Sequence, residues 1–197
     1  MTTRPEVGAA KSALRTDLLR RRRARPSAER DAAAAAVAAT LLGVLARYRT
    51  LAAHVPEPEE PGHGLIPAAF ARLDARVLLP VVPAEGAELA WAVDTGRLAP
   101  GRFGILEPLG PRLGPTAVGA ADVVVVPALS VATDGTRLGR GGGYYDRALR
   151  HVREDAVLVA VVFDDELVDH LPAEPHDLRV TAVVTPSGGW RALRTRH

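Results

Sequence analysis

The chain has 197 residues, 47% of them hydrophobic, which is enough for one sizeable core and at most two small domains. Its 25 basic and 23 acidic residues leave a formal net charge of +2, too balanced to signal a nucleic-acid partner. There are no cysteines, which excludes disulfides and thiolate metal sites, and no apolar run approaches the roughly 20 residues of a membrane helix. The first residues, MTTRPEVGAAKSALR, lack the apolar core of a signal peptide, so a cytoplasmic protein is expected.

Residues 8–25 read as a basic helix with a thin apolar stripe at Leu14 and Leu18, ended by Pro26. The arginines at 20, 21, 22, 23 and 25 read as its solvated face. Ser27 suits the cap of a second, alanine-rich helix reaching about Tyr48, with Glu29 in its first turn. Leu41, Leu42 and Leu45 recur at helical spacing and predict a buried face. Residues 51–55 predict a short strand. Residues 56–64 carry three prolines, three glutamates and two glycines, and so predict a loop. A helix over 65–73 and strands over 77–82 and 89–93 follow.

Residues 95–119 are rich in glycine and proline and read as one long loop, a kind that is often functional. Residues 122–126 form a continuous apolar run, the pattern of a strand buried on both faces. A helix over 144–151, a strand over 157–163, a short helix over 164–170 and a strand over 180–184 complete the chain. Neither an internal repeat nor a linker is visible. Alternating strands and helices predict one α/β domain over 1–197 with a largely parallel sheet.

Between the apolar strand and the next helix lies Arg137-Leu138-Gly139-Arg140-Gly141-Gly142-Gly143-Tyr144-Tyr145-Asp146. Glycines let backbone amides close on an anion, a following helix adds free N–H groups, arginines add charge, and Asp146 offers a metal ligand. The combination suits a polyphosphate at the carboxyl end of a sheet. It is not a dinucleotide fingerprint, because Tyr144 stands where the third glycine belongs, and no Gly-Lys-Ser/Thr makes it a Walker loop. Gly8-Ala9-Ala10-Lys11-Ser12 fails as a Walker loop too, since Ala10 replaces the required glycine.

This string, preceded by Val125-Val126-Pro127-Ala128-Leu129, resembles the signature of 5-formyltetrahydrofolate cyclo-ligases. Further agreement lies at Lys11 with Arg15, at Phe103-Gly104-Ile105-Leu106-Glu107-Pro108, and at His176-Asp177 with Thr185. The resemblance implies a single three-layer α/β domain, similar to the sugar-phosphate isomerase and CoA-transferase folds. It also implies ATP, magnesium and a reduced folate, with neither nucleic acid nor membrane as partner, and a monomer is expected.

By the same resemblance, Lys11 and Arg15, which share a helix face, reach the ATP phosphates together with Arg137, Leu138, Gly139, Arg140, Gly141, Gly142, Gly143, Tyr144 and Tyr145. Arg140, Lys11 and Tyr144 are expected at the chemistry. Val55, Glu60, Phe103, Arg140 and Tyr144 are expected around the folate, Glu60 through the pterin N–H donors and Phe103 by stacking. Glu57 and Glu59 lie close enough to share the part given to Glu60. Asp146 and Asp177 are the expected magnesium ligands. The chain departs from the family pattern at Pro61-Gly62-His63 and at Thr181, where an acidic residue is common. Glu107 is expected to shape its loop. The implied reaction is ATP-dependent closure of 5-formyltetrahydrofolate to 5,10-methenyltetrahydrofolate. A nucleotide or folate binder without turnover, or a sugar-phosphate or CoA-ester enzyme on the same fold, remain alternatives.

Overall fold

The computed structural model describes residues 4–83, 88–174 and 177–193. Two helices open the chain, α1 (Arg4–Ala24) and α2 (Ser27–Leu45), followed by β1 (Thr50–Ala52), a short α3 (Ile66–Phe70), β2 (Arg76–Val81) and β3 (Ala90–Val93). The middle holds β4 (Leu98–Pro100), β5 (Leu106–Pro108), β6 (Arg112–Leu113) and β7 (Val123–Pro127). The hairpin β8 (Ser130–Ala132) and β9 (Arg137–Leu138) leads into α4 (Tyr144–Ala148). Then come β10 (Val157–Val161), β11 (Leu167–Val168), β12 (Ala182–Thr185) and β13 (Gly189–Ala192).

Eight strands form the main sheet in the order β13-β12-β10-β7-β1-β2-β3-β6. The run from β12 to β2 is parallel throughout, while β13, β3 and β6 join antiparallel. The apolar run Val123–Val126 lies at the centre, fully buried, as its lack of alternation predicts. Side chains alternate across the sheet. Leu51, Val123, Val125, Val159 and Val161 pack under α2 and α3 through Val37, Leu41, Leu45, Ile66 and Phe70. Ala52, Val124, Val126 and Ala160 face the other layer with Trp91, Val118, Ala148 and Leu149. Helices on both faces give three layers. Leu18 fastens α1 to the hairpin through Leu129 and Leu138.

Several expectations need correction. Ser27 is the first helical residue; Pro26 stands at the cap with φ −56° and ψ 144°, a conformation its ring already favours, and makes no side-chain cap bond. Residues 95–119 are not one loop. Residues 98–108 fold into the β4–β5 hairpin, β6 pairs with β3, and a short 3₁₀ stretch (Pro115–Ala120) leads into β7. Glycine and proline here mark edge pairing rather than its absence. The helix expected over 164–170 is one 3₁₀ turn, Asp164–Glu166, followed by β11. The edge strand β13 had no counterpart in the sequence reading, since Gly189-Trp190-Arg191-Ala192 carries no apolar run. The signature does not leave β7 directly either; β8 and β9 intervene, and Arg137 and Leu138 belong to a strand.

The parallel strands run outward in both directions from the β1–β7 pair, so the crevice beyond the carboxyl ends of those two strands is the topological switch point. His54 and Val55 leave β1 there, and Pro127 ends β7 there.

Candidate active site

A cavity of about 290 Å³ occupies that crevice. One wall is the signature, from Arg137 through Gly139–Asp146, and another is the acidic loop with Glu57 and Glu60 behind His54 and Val55. Phe103 and Ile105, from the turn joining β4 to β5, line the third side.

The glycine loop is held in a shape that most residues resist. Gly141 and Gly143 adopt φ of +97° and +67°, which a side chain would strain. Arg15 on α1 donates from Nε to the Gly139 carbonyl at 2.8 Å, and Arg147 donates to the Gly142 carbonyl at 3.1 Å. The loop is thus tied from behind while the cavity side stays open. The helix it enters is only five residues long, so loop amides and guanidinium groups, more than a helix dipole, favour an anion there.

Glu60 is the electrostatic centre of the opposite wall. Burial alone would raise its carboxyl, but a hydrogen bond and positive charge from His54, then the charge of Arg140 and the Glu57 backbone amide, bring it down to about 2. His54 Nε2 lies 3.4 Å from Oε2, and the Glu57 amide donates to the same oxygen at 3.1 Å. On Oε1, Arg140 Nη2 donates at 3.3 Å, and Arg22 Nη1 lies at 3.8 Å. Arg140 Nη2 also reaches Glu57 at 2.8 Å, so one guanidinium joins the signature to the acidic loop.

Of the residues expected around the folate, Val55, Glu60, Phe103, Arg140 and Tyr144 all line the cavity. Phe103 is 71% exposed with φ +60°, a left-handed backbone that costs a bulky residue energy and aims the ring away from the core. Of those expected around the nucleotide, Arg137, Gly139, Gly141, Gly142, Gly143 and Tyr145 are also in the wall. Leu138 is not; it is buried against Leu18. Lys11 and Arg15 are not in the lining, although Arg15 bonds the loop through the Gly139 carbonyl. Lys11 is buried, with Nζ 2.6 Å from Asp177 Oδ2 and 3.2 Å from Glu174 Oε2.

The two expected metal ligands therefore meet different cations. Asp146 lines the cavity and pairs with Arg137, whereas Asp177 pairs with Lys11 and accepts from the Glu174 amide at 2.7 Å. Among the described residues no group of three or more His, Asp or Glu side chains is gathered for an ion. One cavity carboxylate is nonetheless what magnesium needs when it arrives coordinated by phosphates and water. Asp146 fits that role. Thr181 spends its hydroxyl on the Leu158 backbone at 3.0 and 3.1 Å, and His176 lies outside the described residues. Glu107 shapes its loop by accepting from the Val82 amide at 2.9 Å.

A sequence model of the 5-formyltetrahydrofolate cyclo-ligase family matches residues 7–186. The chain belongs to that family. It is 45% identical over 190 residues to the 5-formyltetrahydrofolate cyclo-ligase of Mycolicibacterium smegmatis, a match covering 94% of this chain and 98% of that one. The fold superposes on the NMR structure of Aquifex aeolicus 5,10-methenyltetrahydrofolate synthetase with a TM-score of 0.78 and 29% identity, over 95% of this chain and 94% of that one. A Mycoplasma pneumoniae 5,10-methenyltetrahydrofolate synthetase shares the fold with a TM-score of 0.69 and 21% identity, over 88% and 96% of the two chains.

Two polar residues around this family site, His54 and Arg22, were not singled out for it by the sequence. His54 looks like any histidine at a strand end. Tyr145, expected beside the nucleotide, lines the cavity; among the described residues its hydroxyl is buried without a hydrogen-bond partner, and burial, followed by the charge of Glu60, pushes its pKa up. Arg22 does not lie on a solvated face. It is wholly buried, bonds Glu166 through Nε at 2.8 Å and Nη2 at 2.7 Å, and donates to the Ala128 carbonyl at 2.7 Å. Arg25 is also tucked in, 4.1 Å over the Phe163 ring. The only legible trace was an acidic turn, Asp164-Asp165-Glu166, able to meet a basic helix.

Proposed function

We propose that this protein catalyses the ATP-dependent closure of 5-formyltetrahydrofolate to 5,10-methenyltetrahydrofolate, releasing ADP and phosphate. One observation carries the reading. A cation-bearing glycine loop and a buried, ionised carboxylate face each other across one cavity, bridged by Arg140. The first wall suits a triphosphate and the second suits the adjacent N–H donors of a pterin.

The formyl oxygen is a poor leaving group until it is phosphorylated. Its in-line attack on the γ-phosphorus forms an O–P bond as the bond to the bridging oxygen breaks and ADP leaves. N10 then attacks the formyl carbon of the phosphorylated iminium species, gives up its proton, and expels phosphate to leave the methenyl bridge. No protein nucleophile takes part, so positioning and charge neutralisation are the protein's contribution. Glu60 would accept from the pterin, Phe103 would stack on it, and Val55 would bound it. Arg140 would leave Glu57 for the transferring phosphoryl group, with Tyr144 and Tyr145 bounding the meeting point of the two ligands. Arg15 would support the loop amides, and Lys11 would reach the phosphates by exchanging Asp177 and Glu174 for them. Magnesium, bound with ATP and held by Asp146, would neutralise phosphate charge; Asp177 would join it once released by Lys11. The reading takes the protein as a cytoplasmic monomer acting on small molecules, with neither nucleic acid nor membrane as partner; no described helix is long and apolar enough to cross a membrane.

The test mixes protein, magnesium, ATP and 5-formyltetrahydrofolate and follows the near-ultraviolet absorbance of the methenyl product. One product per ADP is expected. Binding of both ligands with no product would overturn the reaction and leave a binding protein.

A further inference from the structure

We propose that His54 is a positioning residue for Glu60, and that reduced-folate affinity depends on pH through this ring. The inference rests on the reading of Glu60 as the pterin-binding carboxylate. It begins with hydrogen-bond valence. Nδ1 of His54 lies 3.3 Å from the Val125 carbonyl oxygen, which can only accept. Nε2 lies 3.4 Å from Glu60 Oε2, and an ionised carboxylate can only accept as well. Both contacts are satisfied together only when each ring nitrogen carries a hydrogen. The ring is anchored at the end of β1 against the central strand β7, and it is mostly buried, so it has little freedom to turn.

The other cations around Glu60 cannot do the same task. Arg140 is 37% exposed and shared with Glu57, so it is the group that exchanges carboxylate for phosphate. Arg22 Nη1 stands off at 3.8 Å, its Nε and Nη2 committed to Glu166 and Ala128. When Arg140 turns to the nucleotide, His54 is the cation still touching Glu60. The carboxylate then keeps its charge and one fixed oxygen while Oε1 opens to the pterin donors. The charged and titratable groups facing this pair are Arg22 from α1, Glu57 and Arg140 from the two loops, Arg137 from β9 and Tyr145 from α4. The arginines keep their charge in the working range, and burial pushes Tyr145 further above it, so neither alters the charge on this wall. As pH rises and the ring loses its second proton, a lone pair faces either Glu60 or Val125, and folate binding weakens.

The experiment measures the dissociation constant of 5-formyltetrahydrofolate by calorimetry, without ATP, from about pH 6 to pH 8.5, for wild type, His54→Gln and His54→Ala. Wild type should weaken by about tenfold across the range, the size of one charge-assisted hydrogen bond lost. His54→Gln keeps an N–H donor but cannot titrate. Its profile should be flat near the acid-side wild-type value, and subtracting it removes any titration of the ligand itself. His54→Ala should be about tenfold weaker at pH 6 and flat. In turnover the same changes should fall on KM for folate, with KM for ATP unmoved. A His54→Gln profile that keeps the wild-type slope overturns the proposal, as does a wild-type profile with no slope. The Gln variant decides the matter should the Ala variant fail to fold. Methenyl production with no His54-dependent profile sinks this inference alone; a His54-dependent binding profile without product sinks the proposed reaction alone; no folate binding at any pH sinks both.

Discussion

Arg22 and Arg140 approach the same oxygen of Glu60, at 3.8 and 3.3 Å, yet their surroundings give them different work. Arg22 has no exposure and binds Glu166 fork to fork, with the Ala128 carbonyl as a third anchor. Arg140 is more than a third exposed, and Glu57, its 2.8 Å partner, is equally so. A buried ion pair is costly to break because one charge is left stranded in a low dielectric. A half-exposed pair is worth little, so its arginine can change partners cheaply. Arg22 is therefore a fastener between α1, the turn at Asp164–Glu166 and the end of β7. Arg140 is the group free to follow a substrate. Chemically identical side chains are divided by desolvation.

The largest effect expected from that contrast is on stability. Arg22→Ala should cost about 3–5 kcal/mol, because Glu166 stays buried without its cation. Urea unfolding reads this directly, and a loss under about 1 kcal/mol would return Arg22 to the surface. Arg140→Ala should do the opposite. Its kcat should fall by about 10²–10³-fold, the usual result of deleting one preorganised donor to a transition state. Its unfolding free energy should fall by no more than about 1 kcal/mol, because His54 and Arg22 stay beside Glu60. Equal loss of stability in both variants would erase the distinction.

Phe103→Gly sharpens the comparison on the third wall. The left-handed backbone at Phe103 suits glycine, so stability should hold or rise by up to about 1 kcal/mol. The KM for folate should rise about three- to tenfold as an aromatic stacking partner is lost. An unchanged KM would make the ring a loop ornament. A separate effect lies in the acid limb. Glu60 is lowered from 4.5 to about 2 by His54 and Arg140, against its own burial. It therefore contributes stability that is complete above about pH 4.5 and is lost as pH falls toward about 2. Glu60→Gln should flatten that part of the acid-unfolding curve, and a variant curve as steep as wild type would place the carboxylate outside the network.

Much of this arrangement was readable along the chain. The valine run at 123–126 predicted the central strand, since a fully apolar stretch has only a doubly covered position to occupy. The glycines predicted a left-handed loop, and Gly141 and Gly143 have it. Helical spacing of Leu41, Leu42 and Leu45 predicted the face that covers the sheet; Leu41 and Leu45 are fully buried there, while Leu42 is only half-buried. Other readings depended on contacts far apart in sequence. Lys11 meets Asp177 across 166 positions and Arg22 meets Glu166 across 144, so no local pattern marks either pair. The hairpin at 98–108 hid behind glycine and proline, which signal a turn without saying whether its flanks pair.

By itself the sequence determined which segments must be covered by others, where the backbone turns left-handed, and which residue string an anion would meet, because burial preference and steric freedom are local properties of each side chain. Only the tertiary structure decided which arginine is a fastener and which is free, that His54 stands against Glu60, and that Lys11 is already occupied. Those outcomes are set by desolvation and by distance in space, and neither exists until the strands are in register.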